Sequence, residues 1–186
     1  MSGVLARNIE DLEALLVRAK LLETQVEAAS DVLAEALIHD KKLLACGNGG
    51  SAADASHLTT EFVCRFNRDR RPYPAISLAT HGGDLTAIGN DYEFNDIFAR
   101  QVVAFGVPGD ILMAFTTSGR SENVRRALIA AKTKQLRTIA FLGGDGGVCK
   151  GLADVELLVE STVTARTQEM HKFLLHTICE LTETRL

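Results

Sequence analysis

The sequence lacks any hydrophobic run long enough to cross a membrane. Its uninterrupted apolar stretches, such as 43–46 and 111–115, fall far short of the ~20 residues that a spanning helix needs. It also lacks the pattern of an N-terminal signal peptide, and it contains no internal repeat or low-complexity tract. We therefore expect a soluble, cytoplasmic protein.

Paired cysteines are missing as well. The four cysteines, Cys46, Cys64, Cys149 and Cys179, are scattered without a CxxC spacing, which argues against a disulfide framework and against a structural zinc finger. We interpret them as reduced residues that pack in the interior.

An excess of positive charge is also absent. The net charge of −4 argues against a general nucleic-acid binder, because such a protein needs clustered cations against the phosphate backbone. The local exception is the segment CRFNRDRRP at 64–72, which carries four arginines. These arginines either bind a phosphate or simply keep a surface loop solvated.

The chain does contain a regular alternation of short aliphatic runs and amphipathic segments. Its 186 residues, 46% of them hydrophobic, suffice for one sizeable core, so we expect a single domain over 1–186, with a helical packing segment at 1–40 and an α/β core at 41–186. The alternation predicts a parallel sheet covered by helices on both faces, with ligands beyond the carboxyl ends of the strands. The predicted strands are 42–46, 75–78, 110–116, 137–142 and 155–159, and the predicted helices are 52–66, 92–105, 122–134 and 165–185.

The turn TTSGRSEN after the third predicted strand is dense in hydroxyl groups. Thr116, Thr117, Ser118 and Ser121 surround Gly119, where the N-terminus of a helix beginning at about 122 presents unpaired N–H groups. Helix capping by Ser118 or Ser121 is the simpler interpretation, but four hydroxyls exceed what capping requires. We favour a phosphate-binding loop, whereas the later GDGG turn has no hydroxyl cluster and is predicted to be a tight turn.

The turn GNGGSA after the first predicted strand resembles the glycine pattern of dinucleotide-binding folds. Those folds also place an acidic residue near the end of the second strand, and here the segment from that strand onward, ISLATHGGD, contains no acidic residue before Asp84. The lysine of a nucleotide triphosphate loop is missing too. These absences favour a small phosphorylated ligand over a nucleotide.

Ionisable residues follow the first loop and lie on the last helix. His57 and Glu61 are four residues apart and share one helix face, so they suit either a shared metal or acid and base catalysis, although most such pairs are solvated surface residues. On the last predicted helix we interpret His171 as a packing residue and His176 as the candidate for chemistry. His39 and His81 have no partner in helical reach and are predicted to lie at the surface.

Taken together, these motifs resemble the phosphoheptose isomerases, or sedoheptulose 7-phosphate isomerases, of the sugar isomerase (SIS) domain superfamily. The resemblance covers nearly the whole chain. It rests on CGNGGSAADASHLTTEF, RPYPAISL, AIGNDYEF, TTSGRSENV, GGDGG, LADVELLV and TQEMHKFLLH, in the order and spacing of that family. The chain departs from it at Arg120, within a loop that commonly reads STSGNS, and at Ala165, where some members carry aspartate.

The resemblance implies a five-stranded parallel sheet of the flavodoxin-like type, sandwiched by helices, and N-terminal helices that pack a homotetramer with sites between subunits. It implies the conversion of sedoheptulose 7-phosphate to D-glycero-D-manno-heptopyranose 7-phosphate, the first step of heptose precursor biosynthesis, as for lipopolysaccharide. It implies one Zn²⁺ per subunit at His57, Glu61, Gln168 and His176, and catalysis by Glu61 and His176. The implied substrate-binding residues are Asn48, Gly49, Gly50, Ser51, Glu61, Arg65, Asn90, Asp91, Thr116, Thr117, Ser118, Ser121 and Gln168.

One geometric consequence concerns the last helix. Gln168 and His176 are eight residues apart, so on a straight helix they are offset by ~12 Å along the axis. A single metal held by both from one chain would be strained. We predict that the site assembles residues from more than one subunit, or that this helix bends.

Two other functions compete with the isomerase. A non-catalytic SIS protein of the replication-initiator-associating type would keep the scaffold without the full catalytic set. A sugar-phosphate sensor would keep the hydroxyl loop and need no base. The presence of both Glu61 and His176 favours an enzyme.

Overall fold

The structure, a computed structural model, describes residues 3–186 and contains a five-stranded parallel sheet, in which the strands, numbered along the chain, lie side by side in the order 2-1-3-4-5. This order confirms the expected flavodoxin-like α/β sandwich. The strands are β1 Leu43–Gly47, β2 Ala75–Ser77, β3 Ile111–Thr116, β4 Arg137–Gly143 and β5 Val155–Val159; the helices are α1 Val4–Ala19, α2 Glu23–Ile38, α3 Gly50–Val63, α4 Gly82–Asp91, α5 Ala99–Phe105, α6 Glu122–Thr133 and α7 Thr164–Arg185, with short 3-10 turns at Lys20–Leu22, Phe94–Asp96 and Gly147–Cys149.

Two apolar layers cover the sheet, one on each face. Along β1, Leu43 and Ala45 join the layer formed mainly with α2, α3 and α7, whereas Leu44 and Cys46 join the layer formed with α5 and α6. The alternation follows from the period of two in a strand. Because the central strands are buried on both faces, they read in the sequence as continuous aliphatic runs.

The strands begin and end within one or two residues of their predicted positions, but one helix was predicted wrongly. The predicted helix 92–105 is a 3-10 turn followed by the shorter α5, and α4, which was not predicted, precedes it. None of the residues of α4 is buried and three of them are glycine. A helix with so little apolar periodicity and so many weak helix formers gives little signal in a sequence.

The cysteines are all unpaired, as expected, and three of them are buried. Cys64 is exposed, so the prediction that all four pack in the interior is wrong at this position, which follows the last turn of α3. No helix within 3–186 has the length and apolar character to span a membrane.

His171 lies on the buried face of α7, as its apolar neighbours predicted. It is fully buried, with its Nε2 3.3 Å from the carbonyl oxygen of Leu142, and its ring meets those of Phe115 and Phe141 edge-on. Burial, which disfavours the charged imidazolium, lowers the pKa of His171 to about 4. His39 and His81 are exposed, as predicted.

The low pKa of His171 predicts acid-sensitive stability. Between about pH 6.5 and pH 4 the unfolded chain binds a proton at this imidazole that the folded chain does not bind. Lowering the pH through that interval therefore favours unfolding, by as much as about 3 kcal/mol at this one site. Urea unfolding of the parent and of His171→Asn at pH 7, 6, 5 and 4 measures the difference, with His39→Asn as the exposed control. The stability curves of the parent and His171→Asn should converge as the pH falls, and parallel curves would contradict the assignment.

Candidate active site

Helices α3 and α7 pack side by side in the same direction and form a seam of polar side chains. Three pairs define its register: Gly50 with Gln168, Asp54 with Lys172, and His57 with His176. The carboxylate of Asp54 lies 2.8 Å from the Lys172 ammonium, and the Nε2 atoms of the two histidines lie 3.0 Å apart. A Cβ atom at Gly50 would come within 2.2 Å of the Gln168 amide, so a side chain at this position would displace that amide.

At the far end of the seam, three potential ligand groups converge. The Nε2 of His57 lies 2.8 Å from Oε1 of Glu61 and 3.0 Å from Nε2 of His176, and ligand atoms of all three residues lie within 4.8 Å of one another. The ring of Phe66 stacks on His176 with centroids 5.8 Å apart. Partial burial, together with the neighbouring His57 and Lys172, lowers the pKa of His176.

The donor set of this cluster fits a zinc ion. Two imidazole nitrogens and one carboxylate oxygen are the ligands typical of catalytic zinc sites, which keep a further position for water or substrate. Two ring nitrogens at 3.0 Å share at most one hydrogen bond, so a cation between them and Glu61 would satisfy more of their lone pairs.

Gln168 does not join that cluster within one chain. Its amide lies against Gly50, seven residues before His57 on α3, which corresponds to ~10 Å along the axis. The Asp54–Lys172 pair lies between the two positions. Helix α7 runs without interruption through Thr164–Arg185, so it contains no break that would bring Gln168 and His176 to one point.

The hydroxyl-rich loop connects β3 to α6, which begins at Glu122 as predicted. Ser121 occupies the N-cap position, but its side chain makes no capping hydrogen bond; instead its Oγ lies 3.2 Å from Oγ1 of Thr116. Ser118 accepts a hydrogen bond from the backbone N–H of Arg120 at 3.1 Å. The capping interpretation is therefore wrong for Ser121, whose side chain leaves the first N–H groups of α6 available to an anion.

The GDGG turn braces this loop, a contact that sequence reasoning missed. Gly119 has a φ of +65°, and a Cβ there would meet the carbonyl oxygen of Gly146 at 2.1 Å. The positive φ angles of Gly144, Gly146 and Gly147 confirm the tight turn. Arg120, the added cation of the loop, pairs at 2.7 Å with exposed Asp145. The two turns thus hold each other backbone to backbone.

A reciprocal pair of amides joins the first loop to the second. The Nδ2 of Asn48 donates to Oδ1 of Asn123 at 2.8 Å, and the Nδ2 of Asn123 donates to Oδ1 of Asn48 at 2.9 Å. Asn123 is buried, and its Oδ1 also accepts the N–H of Val124. Sequence reasoning missed Asn123, although it lies inside the quoted TTSGRSENV motif.

The other predicted substrate contacts lie at the edges of this arrangement. Gly49, with a φ of +55°, precedes α3, and Ser51 is buried in its first turn. Arg65 is exposed just beyond α3. Asn90 and Asp91 are exposed at the end of α4, where the amide of Asn90 donates to the Asp91 carboxylate at 2.8 Å.

The other three arginines of 64–72 contact protein groups. Arg71 lies 3.3 Å from Asp40, whereas Arg68 and Arg70 both bind Glu183 of α7. These three therefore hold the segment in place, whereas exposed Arg65 donates to the carbonyl oxygen of Asn67 within the same segment, at 3.4 Å.

The chain is similar to known proteins in both sequence and structure. The family model described as SIS domain matches residues 8–143. A phosphoheptose isomerase of Shewanella denitrificans is 43% identical over 174 residues, which cover 92% of this chain and 89% of the relative. The structure of a phosphoheptose isomerase from Neisseria gonorrhoeae matches with a TM-score of 0.88, 39% identity and 97% of both chains. One from Francisella tularensis matches with a TM-score of 0.88 and 34% identity, over 98% of this chain and 100% of that one.

The Asn48–Asn123 pair leads to a prediction about the affinity of the two loops for phosphate. Asn123→Asp keeps the side-chain shape but removes the donor to Asn48 and adds a negative charge beside the anion site, so we expect affinity for inorganic phosphate to fall at least about tenfold. Calorimetric titration with phosphate measures it. Gln135→Glu is the matched control, because it makes the same change of charge at an exposed turn before β4, at the opposite edge of the sheet. Equal affinities in the two variants would contradict the role of Asn123.

Proposed function

Because this chain belongs to the phosphoheptose isomerase family of SIS domain proteins, we propose that it converts sedoheptulose 7-phosphate to D-glycero-D-manno-heptopyranose 7-phosphate through an enediolate. The observation that carries the proposal is the seam between α3 and α7. One end meets the glycine loop beside the hydroxyl-rich loop, and the other ends in Glu61, His57 and His176. A phosphate anchor and an acid and base pair are the two parts that this chemistry requires.

The phosphate end binds without lysine. Helix N-termini at Gly50 and Glu122 face the two loops, and N–H groups there attract a dianion through both hydrogen bonds and the helix dipole. The hydroxyls of Thr116, Thr117, Ser118 and Ser121 add further donors. We assign Asn48, Gly49, Gly50 and Ser51 to the same oxyanion.

The reacting end moves two kinds of proton. In the isomerisation one proton is transferred between C1 and C2 and another between their oxygens, which calls for a base at carbon and an acid and base at oxygen. We assign the carbon proton to Glu61 and the oxygen protons to His176. Oε1 of Glu61 lies 2.8 Å from Nε2 of His57, which orients the carboxylate, and we assign the carbon proton to Oε2.

We assign Zn²⁺ to His57, Glu61 and His176, on the basis of the donor set described above, and to Gln168 supplied by a second subunit. Zinc held there would supply Lewis-acid stabilisation of the negative charge on the enediolate oxygens. Glu61 would then serve both the metal and the carbon proton, so we infer that its two oxygens divide these roles.

We propose that the active form is a homotetramer with sites between subunits. Lys172 lies midway between Gln168 and His176 in the sequence, four residues from each. A two-fold axis near Lys172 would therefore bring Gln168 of the partner subunit to His176 of this chain. Exposed apolar side chains on α1 and the following turn, Val4, Leu5, Val17 and Leu21 among them, support a packing role for the N-terminal helices.

Residues 1–186 are assigned to one SIS domain, with substrate contacts at Arg65, Asn90 and Asp91 supplied across the same interfaces. We place the enzyme in the cytoplasm, where the unpaired state of all four cysteines is expected. Its product would supply heptose precursors for glycans such as lipopolysaccharide. The regulator and sensor alternatives do not require the clustering of Glu61, His57 and His176, so that cluster favours the isomerase.

Replacement of the proposed base tests the mechanism. Glu61→Gln keeps the size of the side chain but cannot accept the carbon proton, so kcat on sedoheptulose 7-phosphate should fall by ~10²–10⁴. A discontinuous assay of aldose formation measures it. Glu180→Gln, an exposed change on α7, is the control and should retain parental activity. A Glu61→Gln enzyme within about tenfold of the parent would show that Glu61 has another role.

Mixed oligomers test the shared site. Gln168→Ala and His176→Ala should each be inactive alone, whereas hybrids of the two contain one site with an intact set of ligands. Random reassembly from a denatured mixture should then recover about a quarter of parental activity, because half of the two-fold pairs are hybrids and each has one intact site. Separately refolded and then mixed proteins provide the control. No recovery above that control would place Gln168 and His176 of one site on the same chain.

A further inference from the structure

A buried carboxylate lies behind the reacting end of the seam. Glu183 is seven residues beyond His176 on α7, and its side chain is only 4% exposed. Its oxygens accept hydrogen bonds from three consecutive backbone N–H groups, at 3.3, 2.9 and 2.9 Å, and from a guanidinium at 3.2 Å. The donors are Phe66, Asn67, Arg68 and Arg70.

The guanidinium of Arg70 extends this network to the end of α3. Its Nη2 donates to the carbonyl oxygen of Glu61 at 2.6 Å, and its Nη1 donates to that of Phe62 at 3.1 Å. Carbonyls in the last turn of a helix lack intrahelical partners, and a cation there is favoured by the helix dipole. Arg70 therefore fixes the turn of α3 that carries Glu61.

The Glu183 carboxylate is also connected to His176, by way of Phe66. Glu183 binds the backbone N–H of Phe66, and the Phe66 ring stacks on the imidazole of His176. His176 and Glu183 also share α7, two turns apart. Both groups assigned to proton transfer are thus held by contacts that end at Glu183.

Stability alone does not account for this arrangement. Burial of an ion pair is often no better for stability than an apolar pair of the same shape. Burial by itself would raise the pKa of Glu183, but the hydrogen bonds from the backbone N–H groups of Arg68, Asn67 and Phe66, together with the charge of Arg70, lower it overall. The carboxylate therefore stays ionised, and each of its contacts has a defined direction.

We propose that Glu183 and Arg70 are positioning residues for the isomerisation, which set the distance between the Glu61 carboxylate and the His176 imidazole without touching the substrate. This inference rests on the proposed function. A positioning role should affect the rate of proton transfer and leave the phosphate anchor, at the opposite end of the seam, unchanged.

Glu183→Gln provides the first test. It preserves shape and one acceptor but removes the charge, so we expect kcat on sedoheptulose 7-phosphate to fall at least tenfold while KM changes less than about threefold. Asp110→Asn is the matched control. Asp110 is equally buried, pairs with Lys42 at 2.6 Å and accepts two backbone N–H groups, but its partners Lys42 and Val107 belong to neither α3 nor α7. Thermal unfolding of both variants separates loss of stability from loss of rate.

Arg70→Lys and Arg70→Met provide a second test that leaves Glu183 intact and covers the case in which Glu183→Gln does not fold. Arg70→Lys keeps the charge, so it should retain more of kcat than Arg70→Met, in which the Glu61 and Phe62 carbonyls both lose the guanidinium. The proposal is overturned if the kcat values of folded Glu183→Gln and Arg70→Met match that of Asp110→Asn, or if KM alone changes. A parental enzyme that isomerises no sugar phosphate would instead overturn the proposed function.

Discussion

The parallel contact between α3 and α7 is the constraint on which the site depends. Without a side chain at Gly50, α7 can lie close enough for Gln168 to meet the first turn of α3. Once that approach is set, the rise of the two helices brings Asp54 to Lys172 and His57 to His176. One helix therefore begins at an anion-binding loop and ends at a group that can accept a proton. The distance between these two functions is a property of the helix rather than of a flexible loop.

Local patterns in the sequence predicted much of this architecture. The aliphatic runs of β1 and β3 and the hydroxyls between Thr116 and Ser121 are readable because each occupies a few adjacent residues. The positions of Asn123 and Glu183 are not readable in this way. Their partners, Asn48 and Arg70, are 75 and 113 residues away in sequence, and neither periodicity nor propensity reports such pairs. Helix α4 escaped prediction for a different reason, since it buries none of its residues.

The two ends of the site differ in the kind of polar group that they contain. At the phosphate end, helix termini and hydroxyls provide the attraction, and the one added cation, Arg120, is already paired with Asp145. On the proposed function, a dianion would therefore be bound mainly by oriented dipoles, which need no reorganisation when the substrate arrives. At the reacting end, charged and titratable groups are concentrated instead, and the Glu183–Arg70 pair fixes the backbone around them. The titratable groups of the site therefore lie at the end of the seam where we propose proton transfer.

The reciprocal amides of Asn48 and Asn123 have a consequence for the conditions under which the enzyme works. Neither side chain gains or loses a proton in the physiological range, and neither carries a net charge that salt can screen. An ion pair in the same place would loosen in acid or at high ionic strength. The gap between the glycine loop and the hydroxyl-rich loop should therefore keep the same width when cellular acidity or salinity changes.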